Sequence, residues 1–259
     1  VINQPGGDKD WEQTGLTLWS KETEFDDLEA NNPGTITVYN ADGTISLETA
    51  TSMTRLRGNT SQDYPKKPFA VKLVDDAPIL GMKEHNRWVL LANWKDKSLI
   101  RNHIAFGIAQ KFTENLDGSI PWNVHGEFVE VVCNGVHIGN YYLCEQIKVG
   151  VNRLNITKYK AKNFTGDWTA FGYLLESDDY YDEPAKFTTN HSIPFMFKDD
   201  VDANNVILNA AKSMILDIED KIYKGYKGTS ATGYADAYQK FDLPSMIDQL
   251  LIYEMTMNA

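Results

Sequence analysis

Basic charge is in short supply. The 259 residues carry 25 Lys and Arg against 36 Asp and Glu, a formal charge of −11. This balance excludes a nucleic-acid or anionic-membrane binder, because both need a basic footprint. It leaves room for a phosphate-handling enzyme, since a local basic cleft can sit on an acidic body. Long apolar runs are missing too, and none approaches the ~18 residues a membrane span requires. The opening residues, Val1 to Asp8, have neither a basic stretch nor an apolar one, so they do not read as a signal peptide. A chain whose signal had been removed would read the same way.

Cysteine is scarce, with only Cys133 and Cys144. They flank Asn134-Gly135, a strong two-residue hairpin signal. In that register Cys133 lies opposite Val136 and Cys144 near His125. The pair is then too far apart for the ~4.4–6.8 Å Cα separation of a disulfide. Two free or buried thiols are expected, as in a reducing compartment or in a secreted bacterial protein without disulfides. There is no CxxC, and His85, His103, His125, His137 and His191 have no metal-ligand spacing, which argues against a structural zinc site. The phosphate-loop, dinucleotide and nucleophile-elbow glycine motifs are all absent. No internal repeat or low-complexity tract is present. Disorder is excluded by a content of 42% hydrophobic and 12% aromatic residues.

What is present is patterned. Residues 1–34 are polar and read as a loosely ordered lead-in, with one short strand at Leu16–Trp19. Ile36–Tyr39 and Ile45–Leu47 read as a hairpin, followed by strands at Met53–Arg57, Phe69–Leu73 and Trp88–Leu91. Phe69, Val71 and Leu73 share one face, and Lys72 points away from it. Ile100, Ile104, Ile108 and Phe112 recur every four residues, predicting a helix capped by Asp96 or Ser98 and ending by Asn115, with His103 in the core. Strands at Phe128–Cys133, Val136–Cys144, Tyr173–Glu176 and Ile193–Phe197 follow. From Ala203 the pattern turns helical. One stripe runs from Val206 to Ile222 behind Asp202 as cap, a short helix lies near Tyr234 and Tyr238, and a last helix carries Ile247, Leu250, Leu251, Glu254 and Met255. Strands first and helices later predict an α+β chain. The expected organisation is a lead-in over 1–34, a sheet-rich lobe over 35–200, and the start of a helical lobe over 201–259. No stop signal follows the last helix before Ala259.

Several segments carry chemistry. Arg57-Gly58-Asn59-Thr60-Ser61 follows a strand and has the glycine, small polar side chains and arginine of a phosphate-holding loop. A strand-ending turn is the plainer alternative. Lys66, Lys67 and Lys72 lie close behind it. Lys72 could neutralise phosphates or be a solubilising edge lysine. Arg101 and Asn102, off the helix stripe, could face a ligand or water. Glu145 and Glu176 each end an apolar strand, where a carboxylate needs a partner; a salt bridge and a ligand contact both fit. Asn59, Asn155, Asn163 and Asn190 head Asn-x-Ser/Thr sequons, a short pattern with many false matches.

Taken in order, these segments resemble the CotH kinase family, named for a spore-coat protein kinase. The matching pieces are Arg57–Ser61; Lys66-Lys67-Pro68-Phe69 with Lys72; Leu80-Gly81-Met82; Trp88–Asn93; Asp96–Asn102; Phe128–Val131 with Asn134-Gly135; Gly139–Leu143 with Glu145; Arg153–Ile156; and Gly172–Glu176. The resemblance spans about 35–259. It implies a divergent, two-lobed kinase-like fold and an atypical protein kinase. Such an enzyme transfers the ATP γ-phosphoryl group to Ser or Thr of a protein substrate with a divalent metal, Mg or Mn. Arg57, Asn59, Ser61 and Lys72 then become candidates for the triphosphate, and Glu145 or Glu176 for orienting the lysine or lining the adenine pocket.

One departure stands out. The family's catalytic Asp follows an Asn in a late helix, and its metal-binding Asp residues lie further on in a Trp-Asp-x-Asp segment. Here Met257-Asn258-Ala259 reads as the start of the first pattern, and no Trp-Asp pair occurs. The catalytic and metal ligands are therefore expected outside these residues, and the 259 residues alone are expected to be inactive as a kinase. The expected location is that of a secreted or cell-surface bacterial protein with its signal removed, with the cytoplasm as the alternative. Two other functions fit the same residues: a non-catalytic surface recognition or adhesion protein on a pseudokinase fold, and a carbohydrate-binding module using Trp94, Trp122 and Trp168.

Overall fold

The computed structural model describes residues 1–115, 121–158, 165–167, 170–198 and 205–257. They fall into two units, one built on Val1–Leu116 and Trp122–Ile147, the other on Lys148–Met255.

The first unit is a closed barrel. Its strands are β1 (Ile2–Asn3), β4 (Gly34–Tyr39), β5 (Ile45–Leu56), β6 (Phe69–Ile79), β7 (Met82–Leu91), β8 (Gly126–Cys133) and β9 (Val136–Glu145), in the order β1-β4-β5-β6-β7-β9-β8. Alternation decides which side chains fill it. Phe69, Val71 and Leu73 are almost fully buried, facing Trp88, Leu90, Tyr141 and Leu143 from neighbouring strands. Two tight turns set the register. Asn134 and Gly135 both have positive φ (47° and 82°), as the hairpin turn that matches strand twist demands. Leu80 and Gly81 (50° and 77°) make the same kind of turn between β6 and β7. Cys133 pairs with Val136 and Cys144 with Gly126, so both thiols are buried, free and far apart.

The first 34 residues differ from the expected loose lead-in. Ile2 is 2% exposed and closes the barrel, antiparallel to Ile36 of β4 and parallel to Cys133 of β8. Gln4 holds this closure. Its backbone N–H donates to Asn134 Oδ1 at 2.7 Å, and its carbonyl accepts from Asn134 Nδ2 at 2.8 Å. Its side-chain oxygen accepts from the Thr54 N–H at 2.6 Å. A hairpin of β2 (Lys9–Trp11) and β3 (Leu16–Leu18) then lays Trp11 against Phe69. The helix α1 (Phe25–Asn31) packs Phe25 and Leu28 against Met53 and Ala70. Met53–Leu56, most of the separate strand expected over Met53–Arg57, is the end of β5, which runs on past bulges in its pairing with β4.

Helix α2 (Arg101–Asn115) lies where the sequence predicts it, but with another face inward. Ala109 is buried, Phe106 packs on Tyr142, and Ile100 and Ile104 are 44% and 47% exposed. His103 is exposed beside the Phe128 and Tyr142 rings rather than in the core.

In the second unit β10 (Leu175–Glu176), β12 (Pro194–Phe197) and β11 (Lys186–Thr188) form a small sheet. These strands group with the helices rather than with the barrel, where the sequence reading had put them. Helix α3 (Asn205–Tyr226) presses Ile207 and Ala211 onto Phe187 and Phe197. Its expected cap, Asp202, lies outside the described residues, as do Asn163, Trp168 and Asn258. Helices α4 (Gly233–Tyr238) and α5 (Leu243–Met257) follow. On α5 the expected core stripe of Ile247, Leu250, Leu251 and Met255 is exposed, and Ile252 is the buried position. The α+β class is thus observed, with a closed barrel where an antiparallel sheet lobe was expected. No helix among the described residues is long and apolar enough to cross a membrane.

Candidate functional site

One end of the barrel opens into a cleft of about 700 Å³ within the first unit. Apart from Thr256, which groups with the first unit, three pieces of chain build it. The first is the loop after β5. Gly58 has φ 82°, and a Cβ there would lie 2.0 Å from Ser61 Oγ, so glycine is what lets the loop fold back on its own serine. A short 3-10 turn (Thr60–Asp63) then brings Ser61 and Tyr64 to the cleft. The second piece is Lys66 to Pro68, leading into β6. The Arg57 N–H donates to the Pro68 carbonyl at 3.2 Å, which ties the two pieces together.

The third piece connects β7 to α2. Asn93 has φ 49° and Leu99 φ 64°. Asn tolerates that region, whereas a Leu there carries strain that its surroundings must hold. The Asn93 side chain supplies the hold, its Nδ2 donating to the Leu99 carbonyl at 3.1 Å and its Oδ1 accepting from Asn102 Nδ2 at 2.8 Å. Asp96 caps the helix start. One of its oxygens accepts from the Ser98 N–H and hydroxyl, the other from the Arg101 N–H at 2.8 Å. The Ser98 hydroxyl and the Arg101 amide keep the Asp96 carboxyl below its ordinary value.

The cleft is basic on an acidic protein. Arg57, Lys66, Lys95 and Arg101 line it against the single carboxylate of Asp96, with Ser61, Asn93 and Asn102 as neutral donors. Burial lowers the pKa of the Arg57 guanidinium and of the Lys66 amine. A partly dehydrated cation gains from a bound anion more than a hydrated one does. Lys66 also lies over the Tyr141 ring and donates to the Asn140 carbonyl, which fixes its direction. Leu91, Ala92 and Pro68 add an apolar wall.

The six residues singled out from the sequence do not gather in one place. Arg57 and Ser61 line the cleft. Asn59 accepts from Lys21 Nζ at 2.7 Å. Lys72 lies on the outer face of β6, where α1 covers it. Its Nζ bonds Asp26 at 2.8 Å and Glu29 at 2.7 Å, and its side chain is 13% exposed. Partial burial pulls the Lys72 pKa down, but the two carboxylates outweigh that and leave it raised. Glu145 is buried and accepts from the His125 N–H and ring Nδ1, both at 3.0 Å. Glu176 belongs to the second unit, where it pairs with Lys198 at 2.9 Å beside Glu183. Lys95, Asn93 and Asp96 were not singled out as ligands, although the charge-rich run Asn93–Asn102 was the available signal. Among the described residues no three His, Cys, Asp or Glu side chains converge as a metal site.

A family model described as CotH kinase protein matches residues 54–258 of the chain. No curated protein matches the chain.

Proposed function

The chain belongs to the CotH kinase family, and from that premise we propose that the basic cleft at the barrel end holds the triphosphate of ATP. The observation that carries this reading is the convergence of Arg57, Lys66, Lys95 and Arg101 on one cleft of a protein with net charge −11. Phosphoryl transfer asks a protein mainly for positioning and charge neutralisation. Arg57 presents a planar fork to phosphate oxygens, Lys66 and Lys95 are point charges, and the Ser61 hydroxyl and Asn102 amide give direction. Leu91, Ala92 and Pro68 offer the apolar surface against which a base packs. The reaction served is transfer of the γ-phosphoryl group to a Ser or Thr hydroxyl of a protein substrate. The divalent metal that the family implies has no ligand set among the described residues, and no step is assigned to it.

Relative to the sequence reading, the lysine role moves from Lys72 to Lys66, because Lys72 is already held between two carboxylates. Calorimetric titration of the 259-residue chain with ATP tests the proposal. Saturable binding that Arg57→Ala weakens at least tenfold supports it. No binding at millimolar ATP, with or without Mg, overturns it and favours the non-catalytic recognition protein.

A further inference from the structure

Two adjacent lysines precede β6, and their side chains part. Lys66 lines the basic cleft, its Nζ 4.6 Å from the centre of the Tyr141 ring and bonded to the Asn140 carbonyl. Lys67 lines a different pocket, of about 270 Å³, beside Lys9 and Asp63, and its Nζ donates to the Gln62 carbonyl at 2.7 Å. The two side chains are chemically identical, so the choice between them is made by the backbone that carries them.

That backbone is Pro65-Lys66-Lys67-Pro68. The prolines have no N–H to donate, and each presses the residue before it into an extended conformation. Tyr64 is placed so, at φ −71° and ψ 156°. The carbonyls hold the segment instead. Trp11 Nε1 donates to the Pro65 carbonyl at 2.8 Å, and the Tyr141 hydroxyl donates to the Lys67 carbonyl at 2.9 Å. These are the carbonyls on either side of Lys66. Both donors belong to buried aromatic side chains that pack on Phe69, at 6.3 Å for Trp11 and 5.9 Å for Tyr141. Burial raises the Tyr141 pKa, which keeps its hydroxyl protonated and a donor. The polar atoms of these two core rings are thus both aimed at the segment that carries Lys66.

We propose that Trp11 and Tyr141 are positioning residues for Lys66: their bonds to the Pro65 and Lys67 carbonyls fix the turn of the segment, so that Lys66 rather than Lys67 enters the cleft. The inference rests on the nucleotide reading only for the ligand that Lys66 meets. A carbonyl stripped of its buried donor is costly to leave unpaired. Without the Tyr141 hydroxyl the segment turns until the Lys67 carbonyl finds another donor, and Lys66 leaves the Tyr141 ring.

The test compares the 259-residue chain with Tyr141→Phe, which keeps the ring and removes the hydroxyl, and with Trp11→Phe. An aromatic ring shifts the resonances of groups over its face upfield. In a chain labelled with ¹³C-lysine, the Lys66 Hε signal, assigned by its loss in Lys66→Ala, is expected upfield of the other lysines. In both variants it is expected to move to the ordinary lysine position. Tyr141→Phe still has the ring, so the move reports Lys66 itself. Leu47→Ala, a core truncation near the start of β5 and outside the cleft, is expected to lower stability and leave the signal in place, which separates positioning from general loosening. In calorimetry Tyr141→Phe is expected to weaken ATP binding about fivefold. A Lys66 signal at the ordinary position in the parent, or one that stays upfield in Tyr141→Phe, overturns the proposal, as does ATP affinity in that variant equal to the parent's. If the parent binds no ATP, the nucleotide reading fails and the Lys66 resonance alone decides the positioning. If either variant fails to fold, the other decides.

Discussion

The Asn102 amide donates to the Asn93 side-chain oxygen at 2.8 Å, joining the end of β7 to the first turn of α2. Through this pair and the bond from Asn93 to the Leu99 carbonyl, one side chain holds a strained loop on the wall of the basic cleft. Asn93→Ala removes both bonds and the residue best suited to positive φ. The expected cost is about 1–3 kcal/mol of stability in urea unfolding. ATP affinity should fall with it, although the reading assigns Asn93 no phosphate contact. A variant with native ATP affinity would show that the loop geometry is dispensable.

Arg57 and Lys72 make opposite predictions. Arg57→Ala and Lys66→Ala each remove a dehydrated cation from the cleft, and each is expected to weaken ATP binding at least tenfold in calorimetry. Lys72→Ala is expected to leave ATP affinity within twofold of the parent. Its effect is confined to the α1 contact, and because Asp26 is 90% exposed and Glu29 40%, the loss should be no more than about 1 kcal/mol. If Lys72→Ala abolishes ATP binding, the lysine role returns to Lys72.

The contrast between these residues shows what the sequence could reveal. Local signals were legible. Asn134-Gly135 announced its hairpin, Phe69, Val71 and Leu73 announced one face, and the glycine of Arg57–Ser61 announced the turn that ends β5. Long-range partners were not. Barrel closure depends on Ile2 meeting Cys133 and on Gln4 clasping Asn134, contacts that no local period encodes. A stripe reports which residues share a face but not which face is covered. That is why Ile100 and Ile104 were expected inside and are exposed, while Ala109 and Phe106 make the contact. Lys72 was correctly placed off the core face, but its destination depended on α1, in a segment that composition alone read as loose.

Gly58→Ala tests the loop directly. The added Cβ would meet Ser61 Oγ at 2.0 Å, in a backbone conformation (φ 82°) that costs an L-residue about 1–2 kcal/mol. The expected outcome is a measurable drop in stability together with weaker ATP binding, because Ser61 must move. An unchanged unfolding midpoint would show that the loop relaxes freely.

The two thiols should be inert. Burial raises Cys133 to about 11 and Cys144 to about 12, the latter in spite of nearby Arg57. At pH 8 the Cys133 thiolate fraction is then about one in a thousand. A disulfide exchange reagent is expected to label neither thiol in the native protein and both in urea. Rapid labelling of either without unfolding would contradict the burial described.

Glu219 ties acid stability to the second unit. Its carboxylate accepts from the Asn190 N–H at 3.1 Å and the His191 N–H at 3.3 Å, and the His191 ring lies 3.2 Å away, stacked on Tyr223. Burial pushes the Glu219 pKa up, but hydrogen bonds from Thr189 and His191 outweigh it and leave the folded value below 4.5. A carboxylate depressed by folding contributes stability that is fully present above its unfolded pKa. That contribution is lost as pH falls through the lower, folded value. The parent protein is therefore expected to lose stability as pH falls below about 4.5, measured by urea unfolding across that window. Glu219→Gln should be less stable at pH 7 and show a shallower acid slope, since the amide cannot titrate. Equal slopes in the two proteins would remove Glu219 from the acid response and leave it a purely structural acceptor.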